Sequence, residues 1–234
     1  MKLRKLFAGV AAAATLLAGM AFGTGAANAA ETTVDTAATV TFKASKEKQL
    51  TSAQLSAYKI ADYVNYGTAK TPVYGVKTAA GANRTKLAAA LTTAGFQNVP
   101  IDGTTDLMAW AMNQKTTTDT DGTVTQVQFD QSETRPWNNP SVTRKFADAL
   151  QVGNPFTATA DPFVLNKATG NDTDGWTATN KTALTAGVYL FLDGNASTDT
   201  LTQAVPMIVS TGSVDAEGVL SLGDSTAEVD MKST

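Results

Sequence analysis

Leu55-Ser56-Ala57-Tyr58-Lys59-Ile60-Ala61-Asp62-Tyr63-Val64 is the run that decides the fold. Tyr58 and Ile60 fall on one parity of an extended strand, and Leu55, Ala57, Lys59 and Ala61 fall on the other. A strand with one wet face would place polar residues at every second position; here apolar side chains stand on both sides. The pattern predicts an inner strand from about Ala53 to Val64, covered on both faces as in a β-sandwich.

On its N-terminal side, Val40 and Phe42 alternate with Thr39, Thr41 and Lys43, which predicts a first strand with one apolar face. Residues 30–37 are polar and aperiodic, and read as a flexible arm. Before the arm, Lys2, Arg4 and Lys5 precede the apolar run Leu6 to Phe22 and the small-residue site Ala27-Asn28-Ala29. That is the layout of a secretory signal peptide over residues 1–29. Its removal takes three of 18 basic residues and leaves 15 against 21 acidic ones, a formal charge of −6. The mature chain is expected outside the cytoplasm, with no transmembrane segment after cleavage.

On the C-terminal side, Pro72 to Lys77 predicts a short strand that starts where proline removes no ladder donor. The period then changes. Leu87, Ala90, Leu91 and Ala94 share a helical stripe stopped by Gly95, and Asp106 heads a short helix to about Asn113. Residues 116–122 read as a loop and Thr123 to Phe129 as a strand. Asn139-Pro140 opens a further helix with Val142, Phe146, Ala149 and Leu150 on one face, closed by Gly153 and Pro155. Residues 157–182, rich in threonine, asparagine and aspartate, read as irregular edge structure. Val188 to Leu192, Gln203 to Ser210, Val219 to Leu222 and Thr226 to Met231 read as strands. The whole predicts a single elaborated domain over 38–232, mainly β, with a helical insertion at about 83–152 packed beside the sandwich.

Composition excludes several functions. The basic residues are scattered, with no stripe for a phosphate backbone, so nucleic acid is not an expected partner. Histidine is absent, which removes the usual general base and commonest metal ligand. No phosphate loop, HExxH or GxSxG motif occurs, so the chain is not expected to be an enzyme and no cofactor is implied. Thr169 to Gly175 lacks the distal glutamate of a calcium loop and reads as a polar turn rather than a metal site.

Cysteine is also absent, although secretion permits disulfides. A buried lysine–asparagine or lysine–aspartate amide could staple such a fold instead. Burial would favour a neutral, nucleophilic amine beside a protonated carboxyl. Candidates are Lys43 or Lys59 as nucleophile and Asn180 or Asp230 as acceptor. Lys232 follows the last strand and would be accessible to another protein. Trp137 and Trp176 are candidates for glycan contact, each weighed against closing a loop on the core.

Four segments, in order, carry a resemblance: Leu55-Ser56-Ala57-Tyr58-Lys59-Ile60, Val142-Thr143-Arg144-Lys145-Phe146-Ala147-Asp148-Ala149-Leu150, Leu184-Thr185-Ala186-Gly187-Val188-Tyr189-Leu190-Phe191, and Gln203-Ala204-Val205-Pro206-Met207-Ile208-Val209-Ser210-Thr211. Together they resemble the N-terminal part of Gram-positive sortase-assembled pilin backbone subunits, the fimbrial subunits of actinobacteria. The resemblance implies an immunoglobulin-like fold of the collagen-adhesin B type, secretion, and a role in adhesion. It also implies other pilin subunits and a sortase as partners. In that family the linking lysine stands in a Tyr-Pro-Lys context; Asp230-Met231-Lys232 is the nearest match, without the tyrosine and proline. No LPxTG signal with apolar segment and basic tail occurs in the sequence. A truncated pilin and a short secreted relative both remain open, and host or surface glycans or proteins are further expected partners. The rival function is a secreted carbohydrate-binding module using the exposed tryptophans.

Overall fold

The computed structural model describes residues 31–130, 140–195 and 203–232; residues 1–29, read from the sequence as a signal peptide, and Trp137 lie outside them. The fold is mainly β, with several sheets and four helices among the described residues. The decisive run forms β3 (Leu55–Asn65), the hub of a six-stranded sheet. β11 (Gly187–Asp193) pairs antiparallel with β3, and β12 (Met207–Ser210) lies beyond β11. β4 (Tyr74–Thr78), β7 (Ala160–Phe163) and β1 (Thr32–Thr33) also pair with β3. Part of the stretch read as an arm is thus a short strand, fastened further by the Val34 N–H donating to Tyr63 O at 2.9 Å.

A five-stranded sheet is built around β2 (Ala37–Ala44), which carries Ala38, Val40, Phe42 and Ala44 inward. β10 (Leu184–Thr185) and β9 (Gly175–Thr179) pair with it antiparallel, and β8 (Thr169–Asn171) extends the sheet past β9. β15 (Thr226–Asp230) runs parallel to β2, a pairing that alternation alone does not specify. Residues 157–182, expected to be irregular, supply β7, β8 and β9. Their exposed positions include Asp161, Pro162, Gly170 and Asn171, residue types depleted in strands, which hide the alternation that marks one.

The two sheets meet in one hydrophobic cluster built on Phe42, Phe163, Tyr189 and Phe191. The three phenylalanine rings pack edge-on or tilted, with centroids 5.1 Å apart for Phe42–Phe191 and 5.0 Å for Phe163–Phe191, and Tyr189 stacks on Phe191 at 6.0 Å. Such aromatic pairs add about 0.5–1.5 kcal/mol each beyond the area they bury. The other face of the six-stranded sheet is covered by helices. α2 (Arg84–Ala94) and α4 (Pro140–Val152) contribute Leu87, Leu91, Phe146 and Leu150, which pack with Ile60, Val188 and Leu190 from β3 and β11. β3 and β11 therefore belong to two cores at once, which is what their double-faced patterns require. α1 (Glu47–Thr51) lies by the five-stranded sheet.

Local signals set the helix ends. The Asn83 side chain accepts from the Lys86 N–H, and Gly95 closes α2 at φ 107°, a left-handed angle that glycine adopts without a Cβ penalty. Asp106 caps α3 (Leu107–Ala111) by accepting from the Ala109 N–H, and the same carboxylate accepts from the Thr78 N–H and hydroxyl on β4. The helical insertion also holds the hairpin β5 (Gln114–Thr118) and β6 (Val124–Phe129), so the expected loop at 116–122 is half strand, with its turn at Asp119 to Gly122. A last hairpin, β13 (Ser213–Val214) and β14 (Leu220–Ser221), contributes Val214 and Leu220 to the helix-side core.

Tyr63 links this core to the turn after β12. Its hydroxyl lies 2.6 Å from Ser210 Oγ and accepts from the Gly212 N–H at 2.9 Å. Burial pushes its pKa up to about 12, against an ordinary 10. Between those values the unfolded chain gives up a proton that the folded chain keeps, so this stability is whole below pH 10 and falls as pH rises toward 12. A loss of roughly 2–3 kcal/mol over that window is expected from this one group. Urea titrations at pH 9 and 12 check it, and Tyr63→Phe should flatten the decline.

Candidate functional site

Three residues singled out in the sequence converge at one end of the five-stranded sheet. Lys43 is the register partner of Asp230 on β15 and of Thr177 on β9, next to Trp176. Together with Asp174 they line a shallow depression of about 390 Å³. Lys43 and Asp230 lie on the solvent side of the sheet, and the Lys43 Nζ donates to Glu228 Oε2 at 2.7 Å. The lysine side chain is 41 % exposed. Its pKa is raised, first by the hydrogen bond to Glu228 and then by the nearby carboxylates. An amide-forming lysine needs the opposite shift, toward the neutral amine.

The other candidates are engaged elsewhere. The Asn180 side chain accepts from the Val40 N–H at 2.8 Å and donates to Thr182 O at 2.9 Å, completing the β2 ladder where regular pairing stops. Lys59 is 14 % exposed and its Nζ lies 2.7 Å from Asp62 Oδ1, itself on a side chain 20 % exposed. Residues three apart on a regular strand point to opposite faces. A bulge makes this pair possible: Val188 pairs with Ala61 and Tyr189 with Lys59, leaving Ile60 as the extra residue that shifts parity. The Lys59 Nζ also donates to Thr185 Oγ1 at 3.0 Å, and a Cβ at position 187 would overlap Lys59 Cε, so Gly187 provides the slot for its stem. Neither lysine contacts Asn180. The intact mass of the protein is accordingly expected to equal the value for its unmodified sequence; a deficit of one ammonia or one water would overturn this.

Trp176 shares the parity of Ala178 and packs against the cluster between the sheets. Its indole N–H donates to Asp172 Oδ1 at 2.9 Å, and Asp172 also pairs with Lys46 at 2.8 Å. These two bonds, Lys46 first, hold the Asp172 carboxyl below its usual range. The half-buried ring closes one end of the core and forms part of the wall of the depression. In the same turn, Asn171 Oδ1 accepts from the N–H groups of Thr173 and Asp174, so the segment considered for calcium is a self-bonded hairpin turn. Among the described residues no three histidine, cysteine, aspartate or glutamate side chains gather as a metal site would need. No helix among them is long and apolar enough to cross a membrane.

Lys232 follows β15 after one intervening residue, Met231. The Val205 N–H donates to its carbonyl at 2.9 Å while its side chain is exposed. One residue that the local sequence gives no reason to single out is Asp193, 4 % exposed at the end of β11. Its Oδ1 accepts from the Gln54 and Asn195 N–H groups at 3.1 and 3.0 Å, and its Oδ2 from the Ala204 N–H at 2.9 Å. It ties the entry of β3 to both ends of the β11–β12 connection.

Compared with family models, curated proteins and solved structures, the chain matches none.

Proposed function

We propose that this chain is a secreted cell-surface structural or adhesive protein related to the subunits of sortase-assembled fimbriae. In this reading the two sheets form an immunoglobulin-like sandwich of the collagen-adhesin B type, and Lys232 is the point at which a neighbouring subunit is attached. The observation that carries the reading is the presentation of Lys232. Its backbone is held through Val205 at the end of a strand while its ammonium is exposed, which gives a transpeptidase a nucleophile on a fixed base. The four resembling segments add support, since they fall on β3, α4, β10 with β11, and β12, which apart from β10 are strands of the central sheet and a helix that covers it. The work is mechanical and interfacial, with no turnover and no cofactor.

The reading is tested in the natural host by digesting surface-released material and searching for a branched peptide at Lys232. A neighbour's threonine carbonyl joined to Lys232 Nζ, and loss of high-mass forms in Lys232→Arg, are the expected results. An unbranched Lys232 in all surface material would contradict it.

A further inference from the structure

We infer that the β2–β15 pair is a load-bearing clamp that carries tension between the two ends of the domain in shear. The strands are parallel over five register pairs, from Thr39–Thr226 to Lys43–Asp230. Chain enters β2 at Ala37 and leaves β15 at Asp230, at opposite ends of the same ladder. Tension applied there pulls the strands past each other along their length. All ladder bonds then share the load, whereas tension applied at one end of a pair opens its bonds one at a time.

The ladder is bracketed by the Thr39 N–H donating to Ser225 O at 3.1 Å and the Met231 N–H donating to Lys43 O at 2.7 Å. Counting back from Met231 with the two-residue period of a ladder places the Val229 N–H inside it and that of Glu228 outside. β2 cannot slide alone. On its other edge it is locked by β9 and by Asn180, which both gives to and takes from the Val40 backbone. Its inward side chains Val40 and Phe42 are fully buried between the sheets. On the outer face the Lys43–Glu228 bond crosses from one strand to the other. β1, held by two register pairs, releases first and only adds slack.

The chain has no cysteine, so handles can be placed at will. Single-molecule pulling compares Ala37→Cys with Lys232→Cys, which loads the pair in shear, against Ala37→Cys with Asp224→Cys, which opens it from one end. Forced unfolding reports the barrier to unfolding rather than the equilibrium stability. The expected result is a several-fold higher unfolding force in the first geometry, lowered in that geometry by Val229→Pro, which removes a ladder donor. Equal forces in the two geometries would overturn the clamp, and that comparison stands even if the proline variant does not fold.

Discussion

Asp193→Ala is expected to lower the free energy of unfolding by about 4–6 kcal/mol, since three backbone N–H groups lose their acceptor at about 1–3 kcal/mol each. Against a typical total of about 5–15 kcal/mol this is a large share. The three donors, Gln54, Asn195 and Ala204, come from separate segments that a single carboxylate ties together. Asp193→Asn should cost less. One amide oxygen can keep the Gln54 and Asn195 bonds, but its NH₂ then faces the Ala204 N–H, donor against donor. Urea denaturation of the three proteins checks the order, with the slope m showing whether the unfolded reference has changed. An alanine variant within about 1 kcal/mol of the parent would remove the residue from this role.

Phe42→Ala is expected to cost about 3–5 kcal/mol, from lost transfer energy and the cavity left among Phe163, Phe191 and their neighbours. More informative than the size is how the loss spreads. β3 and β11 supply side chains both to the cluster between the sheets and to the one under the helices. Weakening one core should therefore weaken both, and amide exchange in α2 and α4 should speed up together with that in β2. Helices that keep their protection while β2 loses its own would show two independent units.

Where a local pattern has one cause, the sequence was legible. The double-faced run at 55–64, the alternation at 39–43 and 226–231, the stop at Gly95 and the acidic head at Asp106 all name their elements before any contact is known. The cap at Asn83 emerged only with the structure. What stayed hidden depends on partners far along the chain. Alternation does not say whether β15 lies parallel or antiparallel to β2. The bulge at Ile60 moves Ala61 off the face it shares by parity with Leu55 and Ala57 and into the helix-side core, and only pairing with Val188 reveals it. Asp193 reads as a solitary acid because one donor lies 139 residues away. The candidate site was legible in part: Lys43 and Asp230 do meet, but on the wet side of the sheet, while Asn180 serves the backbone and Trp176 the core.

The proposed role is that of a structural domain working outside the cell, and the direct measurement is mass spectrometry of the protein recovered from fractionated cells of its natural host. A chain beginning at Ala30 in the envelope or medium, with part of it in high-mass material branched at Lys232, is the expected result. Recovery from the cytoplasm with residues 1–29 still attached would contradict it.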